Sequence, residues 1–115
     1  MAEPKNTAPF QIVTLFALMA AIAQISLGGV VRVSGSGLGC PDWPLCHGEL
    51  IPPFEFHTLV EYSHRLIGTI LGILVILTLW IAALDRKCDS VSFLLSLRSL
   101  FLVIAAGLLG GLPVL

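Results

Sequence analysis

An all-α, polytopic membrane bundle of three transmembrane helices is the fold class this sequence predicts, and three observations predict it. The chain is 57% hydrophobic and 11% charged, under half of the roughly 25% charged residues of an ordinary globular domain. Its apolar residues stand in long blocks rather than at the spacing of one helix or strand face. The segments between those blocks are either very short or dense in Gly and Pro. At ~1.5 Å rise per residue, a block of about 20 residues crosses the ~30 Å hydrocarbon core.

Residues 1–9 form a polar, proline-bounded tail. The first span, 10–31, holds no ionisable residue over 22 positions. That exceeds the ~7–15-residue core of a signal peptide, and no small-residue cleavage site follows, so a retained helix is expected. The outer loop, 32–60, carries Gly35, Gly37 and Gly39, then Pro41, Pro44, Pro52 and Pro53. Proline removes backbone donors and glycine loosens φ, so no single regular element fits there. A loop of this length in a compact protein tends to be functional. The second span is assigned to 61–84, with its helix starting near Thr58, which puts Glu61 and His64 on the first turns. A turn at 85–90 leads to the third span, 91–115, interrupted only by Arg98. With Arg98 snorkelling to the interface, 99–115 still gives 17 apolar or small residues, near the lower limit for a span.

Basic residues set the expected orientation. Arg86 and Lys87 lie in the 85–90 turn and Lys5 in the tail, whereas the 33–60 loop holds Asp42, Glu49 and Glu55. The positive-inside rule places the amino terminus in the cytoplasm and the loop outside. Cys40 and Cys46 then fall in the oxidising compartment and Cys88 on the reducing side. A net charge of −1 gives no basic footprint for nucleic acid.

Chemistry is concentrated in two places. His64, Gly68 and Gly72 recur at i, i+4 and i+8 on one helix face, with Glu61 three residues earlier. An imidazole above a strip without side chains suits an iron porphyrin, which needs a nitrogen ligand and room beside the backbone. Such glycines serve equally for close helix packing, and a wet, idle His–Glu pair at headgroup level is the bland alternative. Gln24, Gly28 and Arg32 repeat the spacing on the first helix. An arginine at that depth suits a propionate or serves as a snorkelling anchor. A partly desolvated Glu61 can take or relay a proton.

Cys40 and Cys46 bracket a proline-braced turn. A structural disulfide is the simplest reading; redox exchange with a partner and zinc binding with His47 and His57 stay open. Gly35-x-Gly37-x-Gly39 follows a membrane helix and opens none, so it is not a nucleotide loop.

The runs QISLGGVVR at 24–32, CPDWPLCHGELIPP at 40–53, EYSHR at 61–65 and GLLGGL at 107–112 together resemble the amino-terminal part of the heme A synthase family. The resemblance covers most of the chain from Gln24 onward, and the loop with the EYSHR run is its specific part. It implies oxidation of the porphyrin C8 methyl of heme O to a formyl group, through successive hydroxylations, for terminal oxidase assembly. It implies His64 as an axial ligand of heme iron (heme b, or substrate heme O and product heme A). Glu61 matches the acidic residue associated with catalysis, and Cys40 and Cys46 match the paired cysteines of the first outer loop. Arg32 and Arg65 are candidates for the heme carboxylates.

Implied partners are heme O, the lipid bilayer, heme O synthase, cytochrome oxidase assembly factors and a redox partner, without nucleic acid. The lack of an Arg- and Ser-rich presequence points to a bacterial plasma membrane rather than a mitochondrion. Family members of ordinary length have two four-helix halves with histidines on the second and fourth helix of each. Three helices and one membrane-depth histidine fit part of one such half, so a fragment or truncated product is expected, and its activity alone stays open. The rival reading is a non-catalytic heme-binding or assembly subunit, with bis-histidine ligation between chains of a homo-oligomer. A thiol-redox membrane protein without heme is a third.

Overall fold

The computed structural model describes residues 7–85 and 88–112. Three helices follow one another: α1 (Ala8–Val33), α2 (Phe56–Leu84) and α3 (Ser90–Gly111). All three are long and apolar enough to cross a membrane. Lys5, Arg86 and Lys87, on which part of the expected orientation rests, lie outside the described residues, as do 113–115 of the third span.

Each helix starts slightly earlier than the spans assigned from sequence. Pro9 sits in the first turn of α1, where its missing N–H would lack a partner anyway. Helix α2 reaches back to Phe56, with Glu55 extended at its N-cap. Its first two turns therefore stand within the loop layer, where Thr58 and Tyr62 bond the loop backbone. Helix α3 is capped by Asp89, whose side chain accepts from the Ser92 amide at 3.2 Å.

Among the described residues, α2 is the central helix: α1 and α3 each pack on it and not on each other. The buried positions Leu71, Val75, Thr78 and Ala82 of α2 recur at four, three and four residues, one face of the helix. Between α1 and α3 that face floors an apolar groove of about 650 Å³, walled by Ala17, Ala21, Ser96 and Ser99. The outward faces are large and apolar, for example Phe16, Ile73 and Phe101. In lipid such exposure carries no penalty, because acyl chains are as apolar as leucine. Hydroxyls within the spans bond their own helix: Ser26 to Ile22 O, Thr78 to Leu74 O and Ser99 to Leu95 O. Each of these three hydroxyls thus finds its acceptor within its own helix.

The connection from α1 to α2 folds into a compact cap. Cys40 and Cys46 are joined by a disulfide, and both residues are buried. Within that ring Trp43–Pro44 is a cis peptide. The Asp42 carboxylate accepts from the His47 amide at 2.6 Å and the Gly48 amide at 2.7 Å. His47 and Gly48 both have left-handed backbones, φ 53° and 72°, which the carboxylate holds in place. Cys46 and Glu49 exchange backbone hydrogen bonds just outside the ring.

Candidate functional site

The cap sits on the first turns of α2, and the contacts between them build the site. Thr58 Oγ1 donates to the Gly39 carbonyl at 3.0 Å, and Tyr62 Oη donates to the Leu50 carbonyl at 2.9 Å. His57 Nδ1 lies 2.9 Å from Ser36 Oγ, and His47 Nε2 lies 3.1 Å from the Gly39 carbonyl. Gly39 is pressed so closely onto α2 that an added Cβ would stand 3.0 Å from the Thr58 nitrogen and closer still to the His57 carbonyl.

Glu61 and Arg65 form the centre of this layer. They pair one turn apart, Arg65 Nε donating to Glu61 Oε1 at 3.0 Å, with side chains 15% and 10% exposed for Arg65 and Glu61. The remaining Arg65 donors turn to the loop backbone. Nη1 reaches the carbonyls of Asp42 and Leu45, and Nη2 reaches that of Cys40 at 3.1 Å. Four of its five N–H groups are thus engaged. Arg65 is directed at the cysteine loop, whereas Arg32 is exposed in the last turn of α1 and makes none of these bonds. The two arginines offered together for heme carboxylates are therefore placed differently.

His64 faces the other way, into the seam between α1 and α2. Its Nε2 lies 3.3 Å from Gln24 Nε2, and its ring lies so close to Gly28 that a Cβ there would meet His64 Cε1 at 3.2 Å. Across the same seam a Cβ on Gly68 would stand 3.0 Å from Gln24 Nε2. The glycines at 28 and 68 thus receive the His64 and Gln24 side chains, so the strip expected to lie open is filled by the site's own residues. Gly72, by contrast, faces open space. Two atoms of the seam are buried without a hydrogen-bond partner, His64 Nδ1 and Gln24 Oε1. Whichever ring nitrogen carries the proton, one is left unpaired, an arrangement that usually costs about 1–3 kcal/mol. The groove floored by Leu71 and Val75 begins seven residues further along the α2 face that carries His64.

The structure thus brings Glu61, Arg65, Cys40 and Cys46 into one layer and sets His64 beside it. Disulfide-bonded sulfurs are not thiolates, so in this state they are not zinc ligands. Among the described residues no group of three acidic, Cys or His side chains is placed to hold a metal ion. In the loop, hydrogen bonding from the Gly48 amide, opposed by desolvation and aided by the His47 amide, holds the Asp42 carboxyl below its usual range. Sequence reasoning missed Asp42 as the organiser of the cap and Gln24 as the partner of His64. The available signals were an acid five residues before a His-Gly turn, and a glutamine one turn before Gly28.

A family model described as "Cytochrome oxidase assembly protein" matches residues 11–56. The chain is 44% identical to a heme A synthase of Exiguobacterium sibiricum over 65% of this chain and 27% of that protein. It is 36% identical to heme A synthases of Alkalihalophilus pseudofirmus and Bacillus pumilus, over 88% and 90% of this chain and 34% and 33% of theirs. The chain therefore spans about a third or less of the length of these relatives. No solved structure matches it.

Proposed function

The chain belongs to the heme A synthase family, and on that premise we propose that it takes part in oxidising the porphyrin C8 methyl of heme O to a formyl group. It acts as a multi-pass protein of a bacterial plasma membrane, with its amino terminus in the cytoplasm and the cysteine loop outside, in the service of terminal oxidase assembly. The carrying observation is the buried, unpaired ring nitrogen of His64, in the α1–α2 seam beside the cap. An imidazole in that state is suited to take a metal as its missing partner. Bound heme supplies the iron centre for the oxidation. His64 would hold it through the ring nitrogen that lacks a partner, Nδ1, while Gln24 stays beside Nε2. Glu61, nine-tenths buried and only three residues away, is placed to hold or pass a proton released as the methyl group is oxidised. Arg32, exposed at the same end of α1, remains the arginine free to meet a propionate. Heme O synthase, oxidase assembly factors and a redox partner complete the proposed surroundings.

A second reading, a heme-binding assembly subunit, is favoured by one observation. His47 and His57 are tied into the cap, which leaves His64 as the one histidine in a helix seam among the described residues. In this reading a second axial imidazole comes from another chain of an oligomer. Purified protein loaded with heme O and an electron acceptor separates the two. Mass spectrometry of the extracted pigment should show the formyl product for an enzyme and unaltered heme for a carrier. In both cases His64→Ala should abolish the Soret band of bound heme. A Soret band unchanged in that variant sinks the heme-ligand assignment.

A further inference from the structure

Arg65 follows His64 directly, yet its guanidinium is spent on the loop. The carbonyls of Cys40, Asp42 and Leu45 all belong to the segment closed by the Cys40–Cys46 bond, and Glu61 lies on the other side of the same guanidinium. We propose that Arg65 is a positioning residue that latches the cysteine loop onto α2 and transmits the state of the Cys40–Cys46 bond to Glu61. Three carbonyls converge on one planar fork only while the loop is held in its closed shape. Reduction by an external dithiol opens that ring. A thiolate of the dithiol attacks one sulfur, the other leaves and takes a proton, and the dithiol closes its own disulfide, so two electrons pass to the cysteine pair. The freed loop has many more conformations, the carbonyls disperse, and Arg65 loses the neutral partners that fix it against Glu61. The latch stands on geometry alone; only the consequence of moving Glu61 for heme chemistry rests on the function proposed above.

The test uses the full chain, free of heme, in lipid nanodiscs. Equilibrated with dithiothreitol redox buffers and read by alkylation and mass, Arg65→Gln should shift the cysteine equilibrium at least tenfold toward the dithiol. That is about 30 mV for a two-electron couple. Arg65→Lys keeps the charge near Glu61 but lacks the fork, so it should shift the equilibrium in the same direction. The second reading is carbodiimide modification of Glu61. In the natural sequence it should speed up several-fold when the cysteines are reduced. In Arg65→Gln it should be fast in both states. An unchanged cysteine equilibrium in both arginine variants, or Glu61 reactivity indifferent to reduction in the natural sequence, overturns the proposal. Should Arg65→Gln lose its helicity, the Cys40→Ser, Cys46→Ser double variant decides: Glu61 must react as in the reduced protein, and protection as in the oxidised one refutes the latch. His64→Ala, which tests the heme reading, should leave the cysteine equilibrium where it was.

Discussion

At the scale of single residues, the site's parts were legible by type and its pairings were not. Cys40, Cys46, Glu61, His64 and Arg65 stand out in the sequence because ionisable and sulfur-bearing groups are rare in a chain with 11% charged residues. What Arg65 touches was hidden, because three of its acceptors are backbone carbonyls 20 to 25 residues away. Every residue carries a carbonyl, so such a contact leaves no signature in residue identity. The same holds for Asp42, whose partners are the amides of His47 and Gly48. Its charge has a consequence in pH. Asp42 has a folded-state pKa lowered chiefly by the Gly48 amide bond, against an unfolded value near ~3.9. A depressed carboxyl contributes stability above the unfolded value and loses it as pH falls through the folded one. The cap should therefore be fully held at neutral pH and loosen progressively below about pH 4. Asp42→Asn should remove that dependence. Reduction rates of the disulfide by a phosphine, which needs no thiolate, measured from pH 6 down to pH 3, provide the check.

At the scale of elements, the three helices were readable because the bilayer imposes one length on each apolar block. Their ends were displaced because an end is set by local chemistry rather than by hydropathy. Pro9 is welcome in a first turn, and α2 starts early enough to carry Thr58, Glu61 and Tyr62 up to the loop. The glycines of the seam were legible as small residues but not in purpose. Gly28 and Gly68 make room for His64 and Gln24, while Gly72 makes room for nothing described. Gly39 decides how the cap docks on α2. Its close neighbours there, the His57 carbonyl and the Thr58 nitrogen, are both backbone, so no flexible side chain can yield to a methyl group. Gly39→Ala should destabilise the docked cap by about 1–3 kcal/mol, the usual cost of overpacking. Gly37→Ala, where nothing lies within 4 Å, should stay within about 0.5 kcal/mol. Thermal unfolding of the two variants in one detergent gives the comparison, and equal melting temperatures contradict the docking described.

At the scale of the whole molecule, one chain crosses the bilayer so that its two kinds of cysteine lie at opposite ends. The Cys40–Cys46 pair belongs to the cap above the start of α2, and Cys88 belongs to the turn between the end of α2 and the start of α3. Helix α2, with 29 residues, separates them by about 40 Å at ~1.5 Å per residue, which no loop motion bridges. This separation makes the proposed orientation measurable. Cys88 has its thiol pKa pushed up by desolvation first, then by the negative charges of Asp85 and Asp89. Because the thiolate is the reactive form, its alkylation should be slow at neutral pH and speed up well into the alkaline range. A membrane-impermeant maleimide applied to intact cells should therefore leave Cys88 unmodified even at alkaline pH, and modify it once the membrane is opened. The same reagent should modify Cys40 and Cys46 from outside only after a reductant has been added. Cys88 reacting in intact cells, with the cysteine pair reacting only in opened ones, reverses the orientation. It would also put the Glu61–Arg65 layer and its disulfide in the reducing compartment, where such a bond does not persist.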